Sequence, residues 1–176
     1  WNSKPLGWIG IGEGPMMAGA EYFKITVYGK GGHGAMPQVS VDPILASAEI
    51  ISALQSVVAR NVDPLKPAVI TVGSIKGGEA FNVIPPKVEM TGTIRTFELD
   101  VREIVLKRFR AVVEHTAMAL GCTAEIDLKR ISPAVINAGE VAEKVLSAAQ
   151  KVFPETQVDE GMYQTMGAED MAYMLE

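Results

Sequence analysis

The sequence predicts an α+β domain of ferredoxin-like topology, β-α-β-β-α-β over roughly residues 21–131, with a four-stranded antiparallel sheet carrying both helices on one face. Three observations predict it. Apolar and polar residues alternate at 21–28, 87–97 and 122–129, the period of two that marks a half-buried strand. Two long segments, one from 43 to 60 and one opening at Asp100 and stopped by Gly121, read as helices. Their order does the rest, because each helix separates a pair of strands while the two middle strands follow one another directly.

Residues 1–20, WNSKPLGWIGIGEGPMMAGA, are rich in glycine and small residues without a sustained period, and read as a connecting segment with one short strand. Phe23, Ile25 and Val27 then alternate with Lys24, Thr26 and Tyr28 in the first strand of the sandwich. Asp42-Pro43 supplies an N-cap followed by proline at the first helical position, and Ile44, Ala48, Ile51, Gln55 and Val58 continue at helical spacing. A second strand spans 68–75 and closes at Gly77-Gly78. In the third, Val88, Met90 and Ile94 face one way and Lys87, Glu89, Thr91, Thr93 and Arg95 the other. Asp100 and Glu103 have the spacing of a capping box at the start of the second helix, and Gly121 stands where a C′ glycine belongs. Cys122, Ala124, Ile126 and Leu128 alternate with polar residues in the fourth strand. After Pro133 the pattern changes: Asn137 and Glu140 cap a further helix to about Val152, followed by a short strand and a helical turn at 169–175. This tail is not needed to complete the sandwich and reads as part of a second domain.

Composition narrows the function. The chain has 176 residues, 48% of them hydrophobic, and a net charge of −5, so it affords a substantial core and has no basic cluster to attract nucleic acid. No run of about 18 apolar residues crosses a membrane and no signal-peptide pattern is present. The one cysteine, Cys122, excludes an intrachain disulfide and fits a reducing cytoplasm. With no initiator Met before Trp1 and an end at MAYMLE, both termini read as cut from something longer.

Four segments invite a chemical reading. In GKGGHGAMPQ, residues 29–38, glycines surround His33, so a bent loop displays one imidazole; a structural turn histidine is the plain alternative. Asn82 lies in the loop GGEAFNVIPPKVEM, either satisfying its own backbone or binding something. Arg95 sits on the polar face of its strand, where it is either solvated or covers a cleft. Glu169-Asp170 either stabilises a helix N-terminus or supplies active-site carboxylates. His115 reads as a surface residue, Cys122 as a packing thiol, and Gly10, Gly12 and Gly14 lack the setting of a nucleotide fingerprint.

Taken together, GKGGHGAMP, VDPILASAEIISALQSVVAR, FNVIPPKVEMTGTIRTF and GAEDMAYM resemble the metal-dependent amidohydrolase and peptidase family of aminoacylases, hippurate hydrolases and indole-acetyl-amino-acid hydrolases. The resemblance covers nearly the whole chain. It implies a lid or dimerisation domain at 21–132, inserted in a catalytic domain to which 1–20 and 133–176 belong. It implies a homodimer formed through the lid, with the residue matching His33 reaching into the partner's active site to polarise the scissile carbonyl. Asn82 and Arg95 match positions that bind substrate, the Arg fork suiting a carboxylate and the amide NH₂ an oxyanion. The whole enzyme would use zinc or manganese to hydrolyse an N-acyl amino acid or related amide, a glutamate acting as general base. None of the family's metal ligands is identifiable here: His33 and His115 have no ligand spacing and Cys122 no nearby histidine. The expectation is a chain that binds no metal and is inactive alone, and the alternative is a stand-alone dimerisation module without chemistry.

Overall fold

The computed structural model describes residues 4–154, 157–161 and 163–175, so the first three residues of the connecting segment lie outside it. In chain order the elements are β1 (Ile9–Gly10), β2 (Gly14–Met17), β3 (Gly19–Tyr28), β4 (Gly32–His33), α1 (Pro43–Asn61), β5 (Ala68–Lys76), β6 (Val83–Ile84) and β7 (Lys87–Thr96). They continue as α2 (Leu99–Ala119), β8 (Thr123–Ser132), β9 (Val135–Asn137), α3 (Gly139–Val152) and β10 (Val158–Asp159), with 3₁₀ turns at Pro37–Val39 and Asp170–Met174. The chain forms two compact units, one of Ala20–Ile131 and one of Trp1–Gly19 with Ser132–Glu176.

In the first unit the strand order is β5-β7-β3-β8, the ferredoxin-like order. β5 and β7 run antiparallel from Ala68↔Thr96 to Lys76↔Glu89, with a bulge between Val72 and Ser74. The links between β3 and β7 are antiparallel in sense: Thr93 donates to the Glu21 carbonyl at 2.9 Å, and Lys24 meets Glu89 at 3.2 Å. Phe23, Ile25 and Val27 pack with Val88, Met90 and Ile94 against both helices. The helices answer with residues about four apart, Ala46, Ile50, Leu54 and Val57 on α1 and Val101, Val105, Phe109, Val113 and Ala117 on α2, all buried. Phe23 and Phe109 meet at 4.8 Å between ring centroids. Gly92 makes room for that ring, since a Cβ there would lie 2.3 Å from Phe23 Cζ.

The caps follow the sequence in part. Asp42 Oδ1 accepts from the Ile44 and Leu45 amides at 2.8 and 3.3 Å, with Pro43 in the first turn. Gly121, at φ 76°, closes a Schellman motif in which its amide donates to Met118 at 3.0 Å and that of Cys122 to Ala117 at 2.9 Å. The capping box at Asp100 does not form. The helix starts two residues earlier than that cap requires, Glu98 is the N-cap without a side-chain bond, and the Asp100 carboxylate is drawn to Lys66 Nζ at 2.8 Å. Nor does Asn137 cap α3: it lies in β9 and donates to the Gly12 carbonyl at 2.9 Å, leaving Ala138 as N-cap.

In the second unit β1 pairs parallel with β10, and β2 pairs antiparallel with β9. The segment up to residue 20 therefore holds two short strands rather than one, because partners from far along the chain complete them. The turn at the chain's end is 3₁₀ rather than α-helical. No helix among the described residues is long and apolar enough to cross a membrane.

Candidate functional site

Past Tyr28 the chain keeps an antiparallel partner. Gly29 donates to the Pro86 carbonyl at 2.9 Å, β4 pairs with β6 as Gly32↔Ile84 and His33↔Val83, and Gly34 donates to the Asn82 carbonyl at 2.8 Å. Lys30 and Val41 exchange both backbone hydrogen bonds at 2.9 Å, holding the other side. The result is a two-stranded ribbon that carries the β3–β7 pairing beyond the sheet. Its glycines serve close approach. A Cβ on Gly31 would lie 3.0 Å from the Ile84 carbonyl oxygen, and one on Gly34 3.0 Å from that of Asn82. None of Gly29, Gly31, Gly32 and Gly34 has a positive φ, so the left-handed freedom that glycine offers is not used here.

His33 is exposed on this ribbon, and its Nδ1 accepts from the Ala35 amide at 3.1 Å. That bond occupies Nδ1 as an acceptor and leaves Nε2 as the N–H donor of the neutral ring. At the other strand's tip the Val83 amide donates to the Ala80 carbonyl at 3.3 Å, so Phe81 and Asn82 are the two corners of a β-turn. Both are exposed, Phe81 entirely, at 103%.

His33 and Asn82 are thus brought together through Gly34, and Arg95 is not. Asn82 precedes β7, whereas Arg95 is its penultimate residue; the eight steps from Lys87 to Arg95 measure about 26 Å along an extended strand. The half-buried Arg95 guanidinium donates to Thr93 Oγ1 and, at 3.2 Å, to the Ile94 carbonyl. Glu169 and Asp170 belong to the other unit, both exposed, with Glu169 as N-cap of the 3₁₀ turn and no side-chain cap bond. Cys122 is buried, and desolvation pushes its thiol pKa up, which disfavours a nucleophilic thiolate. Among the described residues no three His, Cys, Asp or Glu side chains come together to hold a metal ion, so these residues do not fit a metal centre. Sequence reasoning passed over Phe81; an aromatic next to Asn82 in a loop bounded by glycines and prolines was the available signal.

The first unit is thus a ferredoxin-like sandwich that carries His33 on a ribbon extending beyond its sheet. The family model of the peptidase dimerisation domain matches residues 17–121, and the chain belongs to that family. It is similar to N-acetylcysteine deacetylase of Bacillus subtilis (strain 168), 41% identical over 172 residues that cover 98% of this chain and 44% of the relative. It is also similar to IAA-amino acid hydrolase ILR1-like 4 of Arabidopsis thaliana, 44% identical over 126 residues, 72% of this chain and 29% of that protein. Among solved structures, the Bacillus subtilis YXEP protein, described as a dinuclear metal binding peptidase from M20 family, superposes with a TM-score of 0.77 at 33% identity, covering 98% of this chain and 42% of that one. The chain spans less than half the length of these relatives.

Proposed function

We propose that this chain is the lid and dimerisation part, with flanking catalytic-domain segments, of a metal-dependent amidohydrolase that cleaves N-acyl amino acids or related amides. Residues 21–132 form the lid; 1–20 and 133–176 belong to the catalytic domain. The observation that carries the reading is the ribbon, which holds His33 by Nδ1 and keeps Nε2–H free beside the Asn82 turn. A donor so fixed suits an amide carbonyl oxygen on which negative charge develops, because it needs no reorganisation as the charge appears. Asn82 contributes its amide N–H to the same oxygen, and the Arg95 fork takes the carboxylate. The deacetylase and hydrolase names of the relatives support this substrate class.

The separation of Arg95 from the ribbon favours a site shared between two copies, His33 and Asn82 coming from one and Arg95 from the other. The sheet offers an edge for such pairing. β8 is guarded by Glu125, Asp127, Lys129 and Arg130, whereas β5 carries no charge before Lys76 and is rich in β-branched residues. Pairing of β5 with its two-fold mate would join the sheets. The divalent metal, zinc or manganese, supplies the Lewis acid when bound, and its ligands are assigned to parts of the enzyme outside this chain, with Glu169 and Asp170 supporting them from behind. On this reading the chain alone is inactive, and the whole enzyme is cytoplasmic.

Subunit complementation tests this. His33→Ala and Arg95→Ala versions of the whole enzyme should each lose activity on N-acyl amino acids. Mixed dimers rebuild one intact site of two, so an equimolar mixture should recover about a quarter of the wild-type rate. No recovery would place both residues at one site in one copy and sink the shared-site reading. A whole protein without metal-dependent hydrolysis would leave the dimerisation module standing.

A further inference from the structure

We infer that Phe81 is a specificity-determining residue that receives an apolar acyl group of the substrate. The inference rests on the reading above, in which His33 and Asn82 hold the amide carbonyl. Single apolar side chains are ordinary on protein surfaces, but here four exposed ones lie within six residues of His33 or Asn82 along the chain. Phe81 is fully exposed at 103%, Val83 at 50%, and on the facing strand's turn Met36 at 49% and Val39 at 56%. Val83 lies directly opposite His33 in the β4–β6 register, so the two side chains share one face of the ribbon. Phe81 and Asn82 are neighbouring corners of one turn pinned to Gly34, so a carbonyl that reaches Asn82 brings its own substituents within reach of the ring.

A carbonyl of this class has two substituents. One leads to the amino-acid carboxylate, which the reading above assigns to Arg95 of the partner subunit, because this chain's own Arg95 lies at the opposite end of β7 from the turn. The other is the acyl chain, and it is left to the apolar collar. A ring that contacts the acyl chain and not the carboxylate discriminates by the number of methylenes it covers, worth roughly 10- to 200-fold in kcat/KM for each such difference.

The test uses the whole metal-loaded enzyme and N-acetyl, N-hexanoyl and N-phenylacetyl derivatives of one amino acid, then N-acetyl derivatives of several amino acids. Phe81→Ala should lower the phenylacetyl-to-acetyl and hexanoyl-to-acetyl ratios of kcat/KM by about 10- to 100-fold, chiefly through KM, and Phe81→Leu should restore the hexanoyl ratio. An equal loss on every acyl group, a change that follows the amino-acid side chain instead, or dissociation of the dimer would overturn the assignment. A wild-type enzyme that cleaves no N-acyl amino acid would overturn the function proposed above, and Phe81's role with it. Acyl-independent but intact hydrolysis would overturn only the latter.

Discussion

Gly34 donates its amide to the Asn82 carbonyl at 2.8 Å, and a Cβ on residue 34 would sit 3.0 Å from that oxygen and 3.2 Å from its carbon. The last rung of the ribbon thus depends on a missing side chain. Gly34→Ala should force the strands apart by a few tenths of an ångström and uncouple His33 from Asn82. Hydrogen exchange is the check: the residue 34 amide should lose protection while core amides of β3 and β7 keep theirs. Retained protection at residue 34 would show that the ribbon yields without opening.

The core predicts a larger and global effect. Phe109 is fully buried against Phe23, and Phe109→Ala removes both the ring's burial and its tilted contact with Phe23. Urea unfolding should show a loss of about 3–5 kcal/mol with an unchanged m value.

Arg102 Nε donates to Glu21 Oε1 at 2.6 Å, and the Glu21 side chain is only 6% exposed. Arg102→Ala leaves that carboxylate buried without its cation. Because Arg102 itself remains 30% exposed, the cost should fall near about 2–3 kcal/mol, below that of a fully buried pair. Adding Glu21→Gln should recover part of it, and a double-mutant cycle on chemical denaturation measures the coupling.

Stability at acid pH should respond to Lys66, which meets Glu98 at 2.5 Å and Asp100 at 2.8 Å. The Lys66 ammonium, and after it the Val101 amide, holds the Asp100 carboxyl below the usual carboxylate range. A depressed carboxyl contributes stability above its unfolded pKa of about 4 and loses it as pH falls through the folded value. The urea midpoints of wild type and Lys66→Met should therefore differ near neutral pH and converge under acid conditions. A gap that stays constant would mean the pair does not act through charge.

The β5 edge yields the prediction on assembly. Thr71→Glu puts a charge on an exposed position of that strand, and sedimentation of the whole enzyme should show a shift from dimer to monomer. Asp127→Lys on β8 is the control and should leave the dimer in place. The reverse pattern would move the interface to the other edge.

The sandwich was legible because its signals are local and periodic. Alternation at Val88, Met90 and Ile94, the Asp42-Pro43 start and the Gly121 stop each record a choice the backbone makes within a few residues, and each is found in the structure. The misread caps have a common cause. Asp100 and Asn137 are sound capping residues on local grounds, but Lys66 and the Gly12 carbonyl, distant in the chain, claim their side chains. The short strands β1 and β2 were obscured in the same way, as two-to-four-residue pieces that exist only through β9 and β10.

His33, Asn82 and Arg95 could be singled out by residue type and neighbours, which is all that residues close in sequence reveal. Their distribution in space could not. Pairing between residues 29–34 and 82–86 sets His33 beside Asn82, while the length of β7 carries Arg95 away. Local chemistry along the chain specifies which side chains are able to act and which elements they ride on. Long-range register, a matter of which backbone groups meet across some fifty residues, specifies which of them come to lie near one another.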